Sequence, residues 1–344
     1  MPTIAPTCAQ VVLRLKGLAH PASHQVEDLH AHLGDIAASG QRVRIEEISN
    51  FVEVLQAASN RPDIGLGCYE LFHPGQLQSQ LYPMMSSATL GEAMTILSRY
   101  SAILSDGVPL LIVEEPESCS VVFLRLELLD LCRSYIDCYL STIMAIVHWL
   151  LPLHGVTPVE TTFSYEAPAD CRELEALFGS NLRFSNLVNK ITFSARDWHQ
   201  RLPTASLELK LHHESQVNSE LQRFPLKVSS VVKNHIVVGL AKGIVVSLES
   251  IASALNLTPR MLRNRLDEEL TGFRELLDEC RLQLARHLIG STDQSAAAIA
   301  QSLGFTELSS FYRACNRWFG CAPGAYRLKS ARVRSPRAEP VSAP

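Results

Sequence analysis

A short pattern occurs twice in the last third of the chain, with an offset of 48 positions. The two copies are SLESIASALNLTPRMLRNRL at 247–266 and SAAAIAQSLGFTELSSFYRACNRW at 295–318. Ile251-Ala252, Leu255, Leu257 and Thr258 align with Ile299-Ala300, Leu303, Phe305 and Thr306. In each copy an apolar-patterned helix ends at Asn256 or Gly304, residues that tolerate a positive φ at low cost, and a second helix follows. Each copy is therefore predicted to fold as a helix-turn-helix, whose second helix can enter a DNA major groove.

For a single copy, an αα-hairpin used only for packing would be an equally good interpretation. The charge distribution favours DNA binding, because residues 226–337 hold 16 Lys and Arg against 9 Asp and Glu, whereas residues 1–225 hold 15 against 25. The net charge of −4 conceals this division. Two copies inside the basic third of the chain indicate a segment that binds a polyanion.

The segment between the copies, TGFRELLDECRLQLARHLIG at 271–290, has the apolar spacing of one continuous helix. About 18 helical residues would extend ~27 Å. That length suits a spacer between two recognition helices in successive major grooves, which lie about 34 Å apart on one face of B-DNA. One chain could then read two DNA segments without a dimer supplying the second reader.

The stretch from Ser247 to Arg327 is similar to the DNA-binding domain of the AraC/XylS family of bacterial transcription regulators. The matching residues are S-L-E-x-I-A-x-x-L at 247–255, T-P-R-x-L at 258–262, Leu266, G-F at 272–273, R-L-x-x-A at 281–285, I-A-x-x-x-G-F at 299–305, S-x-F-x-R at 309–313, Gly320, Pro323 and Y-R at 326–327. Two positions depart from the family pattern: Asn264 stands where Arg is usual, and Cys315 where Phe is usual. The resemblance implies a transcription regulator, with activation through RNA polymerase as the usual mode and repression as the alternative.

The first two thirds resemble the arabinose-binding type of N-terminal region found in a subset of that family. The likeness rests on S-A-T-L-G-E-A at 87–93, R-Y at 99–100 and L-F-G-x-x-L-R-F-x-x-x-x-N-x-I-T-F at 177–193. It implies an effector-sensing or dimerising domain, and hence a homodimer and a small-molecule effector. Neither the ligand nor any ligand-binding residue can be identified from the sequence.

The predicted fold class is an α+β effector and dimerisation domain followed by an all-α DNA-binding domain with two helix-turn-helix units. Helices are expected at 26–38, 44–58 and 127–151, paired strands at 108–115 and 118–128, and a turn entering a strand at 61–71. The predicted boundaries are an N-terminal tail at 1–17, the effector domain at 18–215, a linker at 216–227, the DNA-binding domain at 228–329 and a disordered tail at 330–344.

The second helix of each copy supplies the candidate DNA-binding residues. In the first copy these are Arg260, Arg263, Asn264 and Arg265; in the second they are Leu308, Ser309, Ser310, Tyr312, Arg313 and Arg317. Arg263 and Asn264 are the leading base readers, because Arg can pair with guanine and Asn with adenine through two hydrogen bonds each. Arg265 is expected on the phosphate side or paired with Glu268 or Glu269. The second copy is expected to contribute mostly positioning, through Arg313 and Arg317 among others.

Composition argues against several other classes of protein. Nine cysteines without a C-x-x-C pair are typical of a reducing cytoplasm, and the histidines do not form a metal-ligand pattern, so no cofactor or metal is expected. The apolar run at 139–153 is too short to span a membrane, which needs about 20 residues. A DNA-targeted enzyme, such as a thiol-dependent repair protein using Cys68 or Cys119, remains an alternative although neither thiol has a basic neighbour in sequence. Another alternative is a regulator that is controlled by a protein partner instead of a small molecule.

Overall fold

The computed structural model describes residues 2–19, 23–124, 126, 129, 131–221 and 227–334. The chain divides into two compact units, Met1–Leu226 and Lys227–Pro344, which we call unit 1 and unit 2. Unit 1 combines helices with two β-sheets, and the described part of unit 2 contains helices and connections only. This confirms the predicted fold class. None of the described helices is both long and apolar enough to cross a bilayer.

Unit 1 contains most of the helices. They are α1 (Pro6–Ala19), α2 (His24–Ala38), α3 (Ile45–Ser59), α4 (Cys68–Leu71), α5 (Leu81–Met85), α6 (Leu90–Arg99), α7 (Ser101–Leu104), α8 (Arg133–Leu150), α9 (Arg172–Phe178), α10 (Ala195–Trp198) and α11 (Leu207–Leu221), with 3-10 segments at Ile64–Gly67 and Pro74–Gln80. Thr89 caps the start of α6, because its hydroxyl accepts a hydrogen bond from the Glu92 N–H at 3.2 Å.

Two sheets complete unit 1. A small antiparallel pair joins β1 (Thr3–Ile4) to β2 (Val43–Arg44). The larger sheet has the order β3-β4-β7-β5-β6, formed by Leu110–Glu114, Ser118–Phe123, Asn189–Ser194, Glu160–Thr162 and Leu182–Arg183 respectively. Its strands pair antiparallel except for β5 with β6. The hairpin of β3 and β4, with Leu110 opposite Phe123, confirms the predicted pair of strands.

Strand β4 and helix α8 form the centre of the unit 1 core. Side chains alternate between the two faces of a strand, yet Cys119 and Val121 on one face and Val122 on the other are all buried. Both faces of β4 are therefore covered, which explains its nearly continuous apolar sequence. Helix α8 adds Leu140 and Met144, which are fully buried.

The prediction of a tail at residues 1–17 is wrong. Most of this segment forms α1, whose Ala9, Val11, Val12, Leu13 and Leu15 are buried in the core. Because α1 is buried on more than one side, its apolar residues do not form the single stripe that marks an amphipathic helix.

Three further elements differ from their predictions. Residues 61–71, predicted as a turn and strand, contain a 3-10 segment followed by α4. The long helix predicted at 127–151 begins only at Arg133. The predicted linker at 216–227 overlaps α11, which continues to Leu221; residues 222–226 lie outside the described part.

Unit 2 consists of α12 (Val228–Ala241), α13 (Leu248–Ala254), α14 (Pro259–Glu268), α15 (Phe273–Ser291), α16 (Ala296–Ser302), α17 (Leu308–Phe319) and α18 (Pro323–Arg334). Helix α15 is the predicted continuous spacer, and its Leu276, Cys280, Leu284 and Leu288 are buried. Residues 330–334 of the predicted disordered tail extend α18, while 335–344 lie outside the described residues.

One carboxyl group on helix α8 is buried. Asp137 has no solvent exposure, and its Oδ1 accepts a hydrogen bond from the Tyr165 hydroxyl at 2.5 Å. The Arg133 Nε lies 3.4 Å from Asp137 Oδ2, and the Arg133 guanidinium also pairs with Asp63. Burial raises the pKa of Asp137 to about 7, although Arg133 and the Tyr165 hydroxyl oppose the shift.

The raised pKa predicts how stability changes with pH. Between pH 3.8 and about 7 the folded state keeps the proton of the Asp137 carboxyl, whereas the unfolded chain has released it. Raising the pH over this range therefore favours the unfolded chain, and the stabilisation present below pH 3.8 is lost. Relative to Asp137→Asn, which stays neutral, the wild type should lose stability over this range, by at most about 1.4 kcal/mol per pH unit. Thermal unfolding of both proteins between pH 4 and 8 measures the difference. A wild type that gains stability relative to the variant would mean that the ion pair with Arg133 dominates.

Candidate nucleic-acid interface

The two predicted helix-turn-helix units are α13 with α14 and α16 with α17, which we call the first and second reader. Equivalent serines begin both readers. The Ser247 hydroxyl accepts a hydrogen bond from the Ser250 N–H at 3.1 Å, and the Ser295 hydroxyl accepts one from the Ala298 N–H at 3.2 Å. These positions differ by the same 48 residues as the sequence repeat. The local sequence therefore defines where both readers begin.

The tight turns of the readers are also built alike. Asn256 has a φ of 54° and Gly304 a φ of 69°, as the sequence predicts. Just beyond them, the Leu257 N–H donates to the Ala252 carbonyl at 2.9 Å, and the Phe305 N–H donates to the Ala300 carbonyl at 3.0 Å. These bonds satisfy carbonyls that the end of each first helix leaves open. The same backbone geometry thus orients α14 and α17.

In the first reader, α14 presents its candidate residues to solvent. Thr258 caps the helix by accepting a hydrogen bond from the Met261 N–H at 3.2 Å, and Leu262 and Leu266 face the core. Arg260, Arg263, Asn264 and Arg265 are all exposed. Helical spacing of 100° per residue places Arg260 and Asn264 opposite the buried leucines, with Arg263 and Arg265 on the two flanks.

Acidic residues limit which part of α14 can approach DNA. Asp267 and Glu268 are exposed in its last turn, where they would repel phosphates. Glu269 does not pair with Arg265, because it accepts hydrogen bonds from the Val228 N–H at 2.5 Å and the Ser229 N–H at 3.0 Å at the start of α12. Although burial opposes the shift, these bonds hold the pKa of Glu269 below its ordinary value. Basic and amide side chains therefore dominate the exposed surface of α14 before Asp267.

The second reader presents a less charged surface. On α17, Leu308 is 44% and Tyr312 is 39% exposed, Ser309 and Arg313 are exposed, and Ser310 is half-buried. The Ser309 hydroxyl donates to Glu307 at 3.1 Å, and the Arg313 Nη2 donates to the Ser310 hydroxyl at 3.0 Å. The carboxylate of Glu307 makes the start of α17 less attractive to a phosphate than the start of α14.

Arg317 lies at the far end of α17 and contacts the spacer helix. Its Nη2 donates to Asp278 Oδ1 at 2.6 Å, and the Trp318 indole N–H donates to Asp278 Oδ2 at 3.0 Å. The Arg317 guanidinium also lies 5.7 Å from the centre of the Trp318 ring. Arg317 thus helps to hold α17 on α15.

Arg281 has a structural role that its sequence position did not reveal. Its Nε donates to the Leu303 carbonyl and its Nη2 to the Gly304 carbonyl, both at 2.8 Å, and its guanidinium lies 4.6 Å from the centre of the Phe305 ring. A Cβ on Gly304 would lie 3.3 Å from that Nη2. Glycine therefore tolerates the positive φ at this position and also leaves room for the Arg281 guanidinium. Arg281 therefore fixes the turn of the second reader to α15.

A concave surface beside α14 adds one candidate that the sequence reasoning missed. It has a volume of about 550 Å³ and is lined by Arg263 and Arg274 together with Glu249 and Asp267. Arg274 is exposed in the first turn of α15, next to the flank of α14. Its charge adds to the positive end of the α15 dipole and offsets the carboxylates of Glu249 and Asp267 on the same surface. Arg274 lies outside both repeat copies, which is why the repeat could not indicate it.

Comparison with known proteins agrees with this arrangement. Residues 28–202 match the family described as the arabinose-binding domain of AraC transcription regulator, N-terminal, and residues 251–329 match a helix-turn-helix domain family. An uncharacterized helix-turn-helix-type transcriptional regulator of Mycobacterium tuberculosis is 27% identical over 251 residues, covering 71% of this chain and 72% of that protein.

Two other relatives are similar to different shares of the chain. The ornithine utilization regulator of Pseudomonas aeruginosa is 24% identical over 275 residues, covering 79% of this chain and 80% of that protein. The regulator GadX of Escherichia coli is 36% identical over 91 residues, covering 26% of this chain and 33% of that protein. Since the first family match alone spans more than half of the sequence, the chain belongs to the AraC-type DNA-binding transcription regulators that carry an arabinose-binding-type N-terminal domain.

Proposed function

We propose that unit 2 reads two successive major grooves on one face of promoter DNA, with the first reader carrying most of the sequence preference. The observation that carries this proposal is the pair of readers with matching caps and turns, one before and one after a single continuous helix. Helix α15 has 19 residues and is therefore about 28 Å long. Its length is close to the distance of about 34 Å between successive major grooves.

The exposed residues support different tasks for the two readers. Arg263 and Asn264 can each form two hydrogen bonds with a base edge, and Arg260 on the outward face of α14 is a third base reader. Arg265 and Arg274 flank this face and suit phosphates. In the second reader, Leu308 can contact a thymine methyl group, whereas Ser309, Ser310, Tyr312 and Arg313 position the helix on the backbone.

Unit 1 is the controlling domain in this proposal. We assign the effector and dimerisation role to residues 2–221 and the DNA-binding role to 228–329, with a homodimer formed through unit 1. A cytoplasmic protein that activates transcription by contacting RNA polymerase fits the family and the DNA-binding unit. Promoter DNA, RNA polymerase and a small-molecule effector are its proposed partners.

The burial of the cysteines argues against a thiol-dependent enzyme. Cys68 is 1% and Cys119 is 2% exposed, and burial, with Glu114 adding to it, raises the pKa of Cys119. A nucleophilic cysteine needs the thiolate and access to its substrate. The burial of both thiols and the raised pKa of Cys119 therefore support a regulator that is not an enzyme.

The base-reading role predicts a loss of discrimination at single positions of the DNA site. Arg263→Ala and Asn264→Ala should each remove about 1–3 kcal/mol of preference at one base pair, because each loses a two-point contact with a base edge. Binding to the preferred DNA site and to all single-base variants of it, at fixed salt, measures this preference.

Arg274→Ala is the matched control, since it removes an exposed arginine beside the same helix. It should weaken preferred and random DNA alike and reduce the slope of log affinity against log salt by about 0.9. If Arg263→Ala behaves like this control, Arg263 contacts phosphate and not a base.

The anchoring of the second reader generates a separate prediction. Arg281→Ala leaves the Leu303 and Gly304 carbonyls without their donor, which should cost about 1–3 kcal/mol of unit 2 stability. Footprinting should then show protection of the block read by α14 and loss of protection at the block read by α17. Arg286→Ala removes an exposed arginine from the same helix and should preserve both. Two fully protected blocks with Arg281→Ala would contradict the anchoring role.

A further inference from the structure

An apolar cavity lies inside unit 1, between the N-terminal helix and the long central helix. Its volume is about 120 Å³. Helix α1 contributes Cys8, Val11 and Val12, and α8 contributes Tyr135, Cys138 and Ile143. Residues of β1, α4, α6, α7, β3, β4 and the 3-10 segment at Pro74–Gln80 also line the cavity. The helix that the sequence suggested was a tail is therefore one wall of this cavity.

The chemistry of the walls excludes a charged occupant. None of the residues that line the cavity is an acid, a lysine, an arginine or a histidine. The thiols of Cys8 and Cys138 stay neutral near pH 7, since burial raises the pKa of Cys8 to about 11 and that of Cys138 well above its ordinary value. An ionised ligand would lose its hydration without gaining a counter-charge, which is strongly unfavourable.

One polar group in the wall is unsatisfied. Tyr135 is 1% exposed, and its hydroxyl has no partner at hydrogen-bond distance and angle among the described residues, although the Tyr139 ring packs edge-on against its own. Other polar wall groups have partners: Tyr139 bonds Ser105 at 3.3 Å, and Thr142 donates to the Cys138 carbonyl at 2.7 Å. A buried polar group without a partner is uncommon and calls for an explanation.

We propose that this cavity binds a neutral, mostly apolar molecule of single-ring size, whose one polar group forms a hydrogen bond with the Tyr135 hydroxyl. The size follows from the volume, because an engineered cavity of about 150 Å³ in another protein holds benzene. Convergent apolar walls with few polar groups are the usual character of a small-molecule site. The inference rests on the proposed role of unit 1 as the effector domain and gives that effector a chemical class.

The test uses the full-length protein and three probes of similar size. Phenol has a hydroxyl, toluene replaces it with a methyl group, and benzoate carries a charge. Titration calorimetry and thermal shift should show saturable binding of phenol and toluene to one site per chain, and no binding of benzoate. Binding to the folded state raises its melting temperature.

Tyr135→Phe isolates the hydrogen bond. The variant should weaken phenol binding about fivefold, the value expected for one hydrogen bond, and leave toluene binding unchanged. It should not lower the melting temperature of the unliganded protein, because the lost hydroxyl has no partner there. Tyr69→Phe is the matched control: its hydroxyl bonds His148 at 2.8 Å and does not line the cavity, so phenol affinity should be unchanged. Cys8→Leu, which fills part of the cavity, should weaken both neutral probes.

The contradicting results are equally specific. No saturable binding of either neutral probe, equal binding of benzoate, or an unchanged phenol affinity in Tyr135→Phe would each overturn the inference. Sequence-specific DNA binding by the unliganded protein is measured separately. If DNA binding is intact and the probes do not bind, only the cavity assignment fails; if the probes bind and sequence-specific DNA binding is absent, the proposed function fails.

Discussion

The arrangement of unit 2 depends on the packing of α15. Its Leu276, Cys280, Leu284 and Leu288 are buried, and fully burying an apolar side chain of this size stabilises a fold by about 1.5–3 kcal/mol. The polar residues of the same helix then orient the second reader, because Arg281 binds the turn before α17 and Asp278 binds its far end. Helix α15 thereby orients the second reader. The first reader is held through α12, which packs on α15 and whose first N–H groups donate to Glu269 after α14.

The two units are packed in different ways. In unit 1, α1 and α8 cover a sheet whose central strand is buried on both faces, and the cavity lies where these helices, α7 and the sheet do not fill the interior. In unit 2, short amphipathic helices pack around α15, and the outward faces of α14 and α17 stay exposed. The proposed ligand site is an apolar recess, whereas the proposed DNA-reading surface consists of exposed polar side chains on a fixed helical frame.

Much of the DNA-binding unit could be predicted from the sequence, because its signals are local. The caps at Ser247 and Ser295 and the positive φ at Asn256 and Gly304 depend on residues close in the chain. The role of Arg281 could not be predicted, since its partners lie 22 and 23 positions away. Which exposed side chains contact bases stays a prediction.

Unit 1 was predicted less accurately, because its structure depends on contacts between residues that are far apart in the chain. Helix α1 is buried on several sides and lacks amphipathic spacing. Residues 61–71 contain Ile64, Tyr69 and two glycines, which fit a turn and strand as well as a 3-10 segment and a short helix. The cavity combines residues from Ile4 to Ile146, so no motif marks it. Long-range packing decides these features.

Selection of binding sites from randomised duplex DNA by the purified full-length protein, at physiological salt, tests the central claim most directly. Two readers connected by one continuous helix predict an enriched motif with two blocks at a constant separation of about one helical turn, 10–10.5 base pairs. One block alone, or two blocks at varying separations, would contradict the claim that α15 sets the distance between two DNA-reading helices.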